Sequence, residues 1–419
     1  MLALYNTLAL AAKPLALGWA AWHGRNPDRA RECAQRMVRE LPEPLVGSIW
    51  LHGASVGEAR VVSTLSALLV KRFPSHPQAV SAITSSGLGQ LPDVGTRFIL
   101  PFDFRGYPAR LLQRLDPRLL VLVETELWPN LIHEASAANV PIALVSARLA
   151  PERMSRYRRW SSLYRPLLER VEVIGAQTRE DAERFESLGA PARAITVTGN
   201  LKYDLAAPRI DRAALERRLG KWAGRPVWVA GSTRPGEEPI VLEAFEVLRS
   251  SFRNLLLVLA PRHLERVEAV LGLARDGGWD VAAWSSLDRV APARHDVVVI
   301  DTLGELASIY GVASIAFVGG SLKPFGGHSP LEPAAAGVPV LVGPHTDHFE
   351  EPARKLVAAG GARRVTDAVD LAAAVNTWLA NPELRDQAAR AARETIRAHA
   401  GALQRTFDTI AAIVDRGPA

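Results

Sequence analysis

Short apolar runs of strand length alternate with amphipathic segments over most of the chain. Seven such runs stand between residues 46 and 205, from "GSIWLH" to "AITVTGN", and six more between residues 220 and 395, from "PVWVAGST" to "VPVLVGP". The segments between them have the 3.6-residue periodicity of helices. Alternation of this kind is typical of parallel sheets covered by helices on both faces. The pattern therefore predicts an α/β fold with two doubly wound, Rossmann-like domains.

The length of the chain also indicates more than one domain. At 419 residues it exceeds what one ordinary hydrophobic core holds. We predict a membrane-associated helix over residues 1–24, a first domain over residues 25–210 and a second over residues 211–419, with a linker around residues 206–226. The last helix is a candidate to return to the first domain. Ligands of such folds bind at the carboxyl ends of the strands, here where the two domains face a common cleft.

The N-terminal segment is the most apolar part of the sequence. Its first 22 residues are apolar except for Asn6, Thr7 and Lys13. A membrane-spanning helix needs about 20 mainly apolar residues, so this length is borderline, and the Lys-Pro pair at residues 13–14 weakens a clean span. Arginines follow instead of a small-residue cleavage site, which favours a retained anchor or interfacial helix with the rest of the chain in the cytoplasm. A buried helix of the main body is the alternative interpretation.

The net charge narrows the class of partner. The formal net charge is +6 and the isoelectric point about 9.7, which suits a phosphorylated small molecule, an acidic membrane surface or nucleic acid. Because no zinc-finger or RNP-type signature accompanies the charge, we expect no nucleic acid partner. The single cysteine, Cys33, cannot form an internal disulfide, which fits a reducing compartment.

Seven arginines lie between residues 148 and 170, together with three aromatic residues, Tyr157, Trp160 and Tyr164. A solvated helix face is the usual explanation of such a run. The alternative is a surface that faces an anionic membrane, in which the arginines attract the headgroups and the aromatic rings add interfacial burial. The cations in question are Arg153, Arg156, Arg158 and Arg159.

The segment "WLHGASVGEA" (residues 50–59) joins the first apolar run to a helix through a glycine turn. Gly53 to Gly57 spells G-x-S-x-G, the nucleophile elbow of serine hydrolases, which would present Ser55. However, an elbow normally follows several strands of its own sheet, and a serine triad has no use for Glu58. A third interpretation is a tight turn in which Glu58 only complements the helix dipole.

The most informative stretch of the second half is "IAFVGGSLKPFGGHSPLEPAAAGVPVLVGP" (residues 315–344). Two glycine pairs follow a strand, and Pro330 suits the first turn of a helix. The free backbone N–H groups at that helix start are a candidate phosphate site, and Glu332 is a candidate acceptor for ribose hydroxyls. The stretch matches neither the P-loop nor the Rossmann glycine motif. A glycine-rich connection without a ligand is the alternative.

Two more strand ends of the second half carry candidate binding residues. Arg262, in "APRH", is a fixed cation that can meet a phosphate with two N–H groups. Leu303, Gly304 and Glu305, in "DTLGEL", would lie beside the phosphate loop and frame a base. Each has an ordinary alternative, a surface ion pair for Arg262 and helix capping at Asp301.

Two acidic residues and a lysine stand out in the first half. Glu124 and Glu126 follow an apolar run, and alternation along the strand would aim both carboxylates to one side, which is costly unless a cation or a reaction uses them. Lys202, in "GNLKYD", lies where the chain approaches the predicted cleft, although an exposed linker lysine is equally compatible. The cluster "HTDHFEE" (residues 345–351) lacks recognisable metal-ligand spacing, so we expect a loop rather than a metal site.

Taken in order, the motifs resemble a known family. "WLHGASVGE", "ETELWPNL", "SARL", "GNLKYD", "AGSTRPGEE", "APRH", "DTLGEL" and "GGHSPLEPAAAGVPVLVGP" are similar to those of bacterial 3-deoxy-D-manno-octulosonic acid (Kdo) transferases specific for lipid A. The resemblance covers nearly the whole chain. It implies a two-domain glycosyltransferase of the GT-B type that transfers Kdo from CMP-Kdo to the lipid A precursor (lipid IV-A) in lipopolysaccharide biosynthesis. It also implies the cytoplasmic side of the cell inner membrane, with peripheral or single-anchor attachment, and neither cofactor nor metal.

The resemblance assigns roles to residues. It implies an inverting single displacement in which Glu58 is the general base, while Glu126 and Lys202 belong to the transition-state site. The first domain would bind the acceptor and the second CMP-Kdo. The residues implied for the donor are Pro261, Arg262, Leu303, Gly304, Glu305, Ser329, Pro330, Leu331 and Glu332.

Three positions depart from the family pattern. Ser146 stands where the family usually has Asn in N-A-R-L, and Ser329 where it has Asn in G-G-H-N-P. A serine can still donate to a phosphate, so the role implied for Ser329 is kept. His348 replaces a frequent Asn and leaves the contact of its loop open.

Overall fold

The computed structural model describes residues 1–206, 224–287 and 295–416. The chain divides into two compact units, one formed by Met1–Leu205 with Ala400–Ala419 and the other by Ala206–His399. The predicted linker around residues 206–226, and with it the domain boundary predicted at residue 210, falls largely outside the described residues.

The first unit is built on a parallel sheet of seven strands in the order β3-β2-β1-β4-β5-β6-β7. The strands are β1 (Ser48–His52), β2 (Gln78–Ala82), β3 (Thr96–Ile99), β4 (Pro117–Val123), β5 (Ile142–Ala147), β6 (Val173–Ala176) and β7 (Ile195–Val197). Its first nine helices are α1 (Leu2–His23), α2 (Pro27–Arg36), α3 (Val56–Arg72), α4 (Ser85–Leu88), α5 (Tyr107–Leu115), α6 (Pro129–Ala137), α7 (Met154–Arg159), α8 (Ser161–Leu168) and α9 (Arg179–Ser187). Short 3₁₀ turns occur at Pro151–Arg153, Ala192–Ala194 and Asp204–Ala206.

Both faces of this sheet are covered, which explains why its strands are continuous apolar runs rather than alternating ones. Trp50 and Leu122 belong to the hydrophobic core on one face, while their sequence neighbours Ile49 and Val121 belong to the core on the other. All five residues of β1 are buried. The central strands of the first unit are therefore rigid supports for the loops that follow them.

The second unit repeats the plan with seven parallel strands in the order β10-β11-β9-β8-β12-β13-β14. The strands are β8 (Val227–Thr233), β9 (Leu256–Pro261), β10 (Val281–Ala283), β11 (Val297–Val299), β12 (Ile315–Val318), β13 (Val340–Val342) and β14 (Ala362–Arg364). The described helices are α10 (Glu238–Arg249), α11 (Val267–Asp276), α12 (Leu306–Ile309), α13 (Leu331–Ala336), α14 (Glu350–Ala358), α15 (Ala368–Ala380) and α16 (Pro382–His399). Short 3₁₀ turns occur at Leu264–Arg266, Trp284–Ser286, Tyr310–Val312 and Asp347–Phe349.

The last helix, α17 (Ala402–Arg416), belongs to the first unit. Its Ile410 packs in the core beside β4, and the guanidinium of Arg118 in β4 donates to the carbonyl oxygen of Val414 at 2.9 Å. The carboxylate of Asp204 accepts the backbone N–H groups of Gly401 at 2.6 Å and Leu403 at 2.9 Å, which satisfies donors at the helix start.

The prediction of two doubly wound domains is confirmed, since each of the thirteen apolar runs contains a strand. The strand β14 was not predicted. Its sequence Ala-Arg-Arg has only one buried residue and pairs with β13 alone, so it lacks the apolar run that marked the others.

The arginine-rich stretch forms a 3₁₀ turn and two short helices, α7 and α8. Its four candidate cations are exposed: Arg153, Arg156, Arg158 and Arg159. Tyr157, in contrast, is 7% exposed and packs in the core, with its ring 5.1 Å from the ring of Tyr164. The predicted interfacial role of Tyr157 is therefore wrong, because its side chain faces the inside of the unit.

Helix α1 runs from Leu2 to His23 and includes Pro14. Leu2 and Tyr5 pack against the core of the first unit, whereas Leu8 and Leu15 are exposed. Within the three described ranges, no helix combines the length and the apolar character that crossing a bilayer requires.

Candidate active site

The first unit has a topological switch point between β1 and β4, which are neighbours although the chain leaves them toward opposite edges of the sheet. Ligands of open α/β sheets bind at the carboxyl ends of strands at such a point. Two segments meet this description: residues 53–55 after β1, which lead into α3, and residues 124–128 after β4. Two of the residues proposed from the sequence lie here, Glu58 in the first turn of α3 and Glu126 in the second segment.

Glu58 lies in the first turn of α3 and is 8% exposed. Its carboxylate accepts the Ser55 hydroxyl at 2.7 Å and the backbone N–H of Ala54 at 2.7 Å. Burial raises the pKa of Glu58, and the nearby charge of Glu124 raises it further, while the two hydrogen bonds oppose the shift. A carboxylate with a raised pKa is a stronger base than an exposed one, so this group is suited to accept a proton.

Ser55 is the N-cap of α3 rather than a nucleophile. Its hydroxyl donates to the Glu58 carboxylate and accepts the Glu58 N–H at 3.3 Å. In the described part of the chain the hydroxyl has no hydrogen bond to a histidine. The nearest one in sequence, His52, is buried with its Nδ1 on the hydroxyl of Ser81 at 2.9 Å. The serine-hydrolase alternative therefore finds no support.

The residues after β4 form two separate polar contacts. The ammonium group of Lys202 lies 2.6 Å from a carboxylate oxygen of Glu124. The Glu126 carboxylate accepts the indole N–H of Trp128 at 2.6 Å and lies 3.5 Å from Nε2 of His52. The charges of Glu124 and Glu126 both act on Glu58, so the three sequence-predicted residues Glu58, Glu126 and Lys202 belong to one cluster through Glu124.

Glu124 and Glu126 do not follow the alternation of a strand, so the prediction that both carboxylates point to one side is wrong. Strand β4 ends at Val123, and Glu124 has a left-handed backbone with φ of 63°. Alternation applies only within an extended strand. The two carboxylates reach different partners because the chain turns at Glu124.

Ser146, one of the departures from the family pattern, also has a left-handed backbone with φ of 51°. The Gln177 amide donates to its carbonyl oxygen at 2.9 Å and to its hydroxyl at 3.2 Å. Asparagine adopts this conformation more readily than serine, which gives a physical reason for the usual family residue. In the loop after β4, the Thr125 hydroxyl donates to the carbonyl oxygen of Arg148 at 2.5 Å and so joins the loops after β4 and β5.

The second unit has its own switch point between β8 and β12. A fully buried carboxylate, Glu237, links the two loops that follow these strands. It accepts the backbone N–H groups of four residues at 2.6–2.9 Å: Arg234, Gly320, Ser321 and Leu322. Glu237 was not among the residues predicted from the sequence, although it lies in the motif "AGSTRPGEE".

Cationic groups surround these loops. Arg262 follows β9 directly, is exposed and forms no ion pair within the described residues, while Arg234 stacks on the ring of Phe325 at 4.6 Å. Burial together with the charges of Arg262 and Arg234 lowers the pKa of His328 to about 4. The imidazole is therefore neutral at pH 7, and the positive charges of Arg262 and Arg234 near it suit an anionic ligand. Arg234 and His328 were not named as candidates from the sequence.

The glycine-rich loop is shaped by two close approaches. Gly320 has φ of 70°, and a Cβ there would lie 2.8 Å from the His328 ring, so a side chain would clash. Gly326 has φ of 83°, and a Cβ there would lie 2.6 Å from the ring of His348. The backbone N–H of His348 donates to the Gly326 carbonyl oxygen at 2.9 Å. The contact left open at His348 is thus with the glycine loop itself.

The predicted donor residues fall around this loop. Helix α13 starts at Leu331 after Pro330, the Ser329 hydroxyl accepts the Leu331 N–H at 3.4 Å, and Glu332 lies in the first turn. Burial raises the pKa of Tyr310, and the charge of Glu332 raises it further.

Other candidates of the second unit have different surroundings. Pro261 is the last residue of β9. Leu303 and Gly304 are exposed in the bend before α12, and the half-buried Glu305 is the N-cap of that helix. Asp301 accepts the Ser285 N–H at 2.9 Å. No group of three or more potential metal ligands occurs in the described ranges.

Two parallel, doubly wound units of this kind, each with polar loops at its switch point, have the GT-B fold. Solved structures share the fold. A glycosyltransferase from Rickettsia africae ESF-5 has a TM-score of 0.57 at 14% identity, covering 88% of this chain and 98% of that chain. A UDP-GlcNAc 2-epimerase from Neisseria meningitidis has a TM-score of 0.54 at 15% identity, covering 87% of this chain and 100% of that chain.

Sequence comparison identifies the family. Residues 24–205 match the family model of the 3-deoxy-D-manno-octulosonic-acid transferases (kdotransferases). The 3-deoxy-D-manno-octulosonic acid transferase of Haemophilus influenzae is 32% identical over 98% of both chains, and that of Bordetella pertussis is 38% identical over 90% of this chain and 89% of its own. The chain belongs to the Kdo transferase family, as its motifs predicted, and is therefore an enzyme that transfers Kdo.

Proposed function

We propose that the protein transfers Kdo from CMP-Kdo to a hydroxyl group of the lipid A precursor in a single inverting displacement. The acceptor oxygen forms a bond to the anomeric carbon, the bond from that carbon to the CMP phosphate breaks, and Glu58 takes the acceptor proton. The observation that carries the proposal is the buried Glu58 carboxylate, held by Ser55 and Ala54 at the end of β1. General base catalysis of this kind is worth about 10²–10⁴-fold in rate.

The charge that develops on the departing CMP needs stabilisation. Arg262 is an exposed cation, and Arg234 adds a second positive charge beside the glycine loop. Preorganised donors aimed at developing charge are worth about 3–4 kcal/mol each. In the second unit we assign this task to Arg262 and to the residues from Ser329 to Glu332. In the first unit we assign Lys202 and Glu126 to the stabilisation of the transition state. Leu303, Gly304 and Glu305 would frame the cytosine.

The acceptor is an amphiphile with phosphate groups, so we place the reaction at the cytoplasmic face of the inner membrane. Two features of the first unit support this. The arginines of α7 and of the turn before it are exposed, and α1 exposes several leucines. Cations near an anionic leaflet and apolar side chains at its interface both favour attachment.

To test the proposal, the purified full-length protein is incubated with CMP-Kdo and the lipid A precursor, and the mass of the lipid product is measured by mass spectrometry. The result reports the acceptor and the number of sugars together. E58Q should lose at least about a hundredfold in kcat, while S55A stays active. An active E58Q, together with an acyl-enzyme trapped on Ser55, would contradict the proposal. Loss of activity in EDTA, restored by a divalent ion, would contradict a scheme that needs no metal.

A further inference from the structure

Helix α6 begins directly after the loop that carries Glu126, and its cap comes from elsewhere in the chain. Trp128 occupies the N-cap position and makes no side-chain capping bond. The Asp103 carboxylate instead accepts the backbone N–H groups of Asn130 and Leu131, both at 2.9 Å. Asp103 is 9% exposed and Asn130 is 1% exposed, so water cannot readily replace these bonds.

The same carboxylate also holds the N-terminal helix α1. The Tyr5 hydroxyl donates to Asp103 at 3.0 Å. The Asn130 side-chain amide donates to the Asn6 oxygen at 2.8 Å and to the Asp103 carbonyl oxygen at 2.6 Å. Two adjacent polar side chains of α1 therefore meet the start of α6 through Asp103 and Asn130.

The start of α6 in turn fixes the candidate catalytic carboxylate. Trp128 directly precedes Pro129, the first residue of α6, and its indole N–H donates to Glu126 at 2.6 Å. A shift or fraying of the first turn of α6 would move the indole, and the Glu126 carboxylate would lose its 2.6 Å hydrogen bond from the indole N–H. Helix α1 is thus connected to Glu126 by hydrogen bonds to the first turn of α6 and by the indole of Trp128, which directly precedes that turn.

We infer that Asp103 is a positioning residue for Glu126 and that α1, through Tyr5 and Asn6, is part of this support. The effect on turnover rests on the proposed function, since it assumes that Glu126 takes part in the reaction. The structural link does not depend on that assumption. Helix α1 consequently contributes to the rate even when the acceptor is presented without a membrane.

The experiment uses the full chain with CMP-Kdo and detergent-dispersed acceptor, both saturating. Because a helix cap is worth about a tenfold change in equilibrium constant, D103A should lower kcat about tenfold, and Y5F, which keeps the ring and the carboxylate, about two- to threefold. The KM for CMP-Kdo should stay within about twofold, since no donor residue is touched. In tryptophan-¹⁵N-labelled protein, the Trp128 indole resonance, assigned with W128F, should shift in both variants.

The control is D367A, which removes the carboxylate that caps α15 in the second unit at 2.9 Å. It should lower thermal stability while kcat and the Trp128 resonance stay as in the parent. If D103A does not fold, D103N and Y5F provide the test. Parental kcat and an unmoved Trp128 resonance in folded D103N and Y5F would overturn the inference. If E126Q keeps full activity, the role of Glu126 is refuted, and the Trp128 resonance alone then decides whether Asp103 positions this loop.

Discussion

Replacing Ser55 by alanine should change the pH dependence of the reaction and leave its maximum rate nearly intact. Burial and the charge of Glu124 raise the pKa of Glu58, whereas the hydrogen bonds from Ser55 and Ala54 lower it. The substitution removes one of the two opposing bonds. The pKa of Glu58 should therefore rise further, and the acid limb of kcat/KM, where Glu58 becomes protonated, should move to higher pH.

The size of the displacement follows from the contact. A hydrogen bond to a charged acceptor contributes about 1.5–3 kcal/mol. Ser55 itself is exposed, so a water molecule can replace part of the lost bond, and the lower end of that range applies. Since about 1.4 kcal/mol corresponds to a tenfold change, the limb should move by about one pH unit. Loss of the α3 cap should also cost about 1 kcal/mol of stability.

The assay measures release of CMP from pH 4 to pH 9 at subsaturating donor, with E124Q as the opposite perturbation. Glu124 raises the pKa of Glu58 by charge repulsion, so E124Q should move the acid limb to lower pH, with some loss of rate because Lys202 loses its 2.6 Å partner. The reasoning is refuted if the limb of S55A stays in place or moves to lower pH. Complete inactivity of S55A at every pH would instead point to a direct chemical role for the hydroxyl.

Three further predictions follow from other contacts. The first concerns the exposed cations Arg153, Arg156, Arg158 and Arg159. Neutralising all four should make binding to anionic vesicles less sensitive to salt in cosedimentation. Unchanged salt dependence would mean that these arginines are only a solvated face. Burial raises the pKa of Asp103 to about 6, so its stabilising contribution is complete below about pH 4 and is lost as the pH rises through 6. In urea unfolding, the parent should lose about 2–3 kcal/mol of stability over this range, and D103N should not. An equal dependence of stability on pH in both proteins would contradict the prediction. E237A leaves four backbone N–H groups without their acceptor and should cost about 3 kcal/mol or more in chemical unfolding, an effect that an unshifted midpoint would exclude.

The sheets could be predicted because parallel strands are buried on both faces and leave uninterrupted apolar runs in the sequence. The same reason explains why one strand was missed. Strand β14 lies at the sheet edge with two arginines among its three residues, so nothing in its composition distinguishes it from a loop. The prediction for Tyr157 failed for a different reason. A sequence that places an aromatic residue among arginines looks the same whether the ring faces solvent or the core.

The candidate site could be predicted only in part. Glu58 and Arg262 stand next to strands, and their motifs mark them. Asp103 and Glu237 could not be found in this way, because each binds backbone N–H groups of a segment 27 or more residues away in sequence. A cap supplied across such a distance leaves no periodic signal near the helix or loop that it holds.

Backbone geometry at the strand ends explains why the directions of the side chains also escaped prediction. Among the described residues, three of the six non-glycine residues with positive φ are Glu124, Ser146 and Ser232, at the carboxyl ends of β4, β5 and β8. Ser146 and Ser232 coincide with interruptions of strand register, as expected for bulges. A left-handed residue reverses the alternation on which any inference from a strand depends, and it costs energy that the surrounding packing must offset. The same geometry that ends the strands turns Thr125 and Arg234 toward the neighbouring loops, so the residues hardest to orient from the sequence are those that shape the two sites.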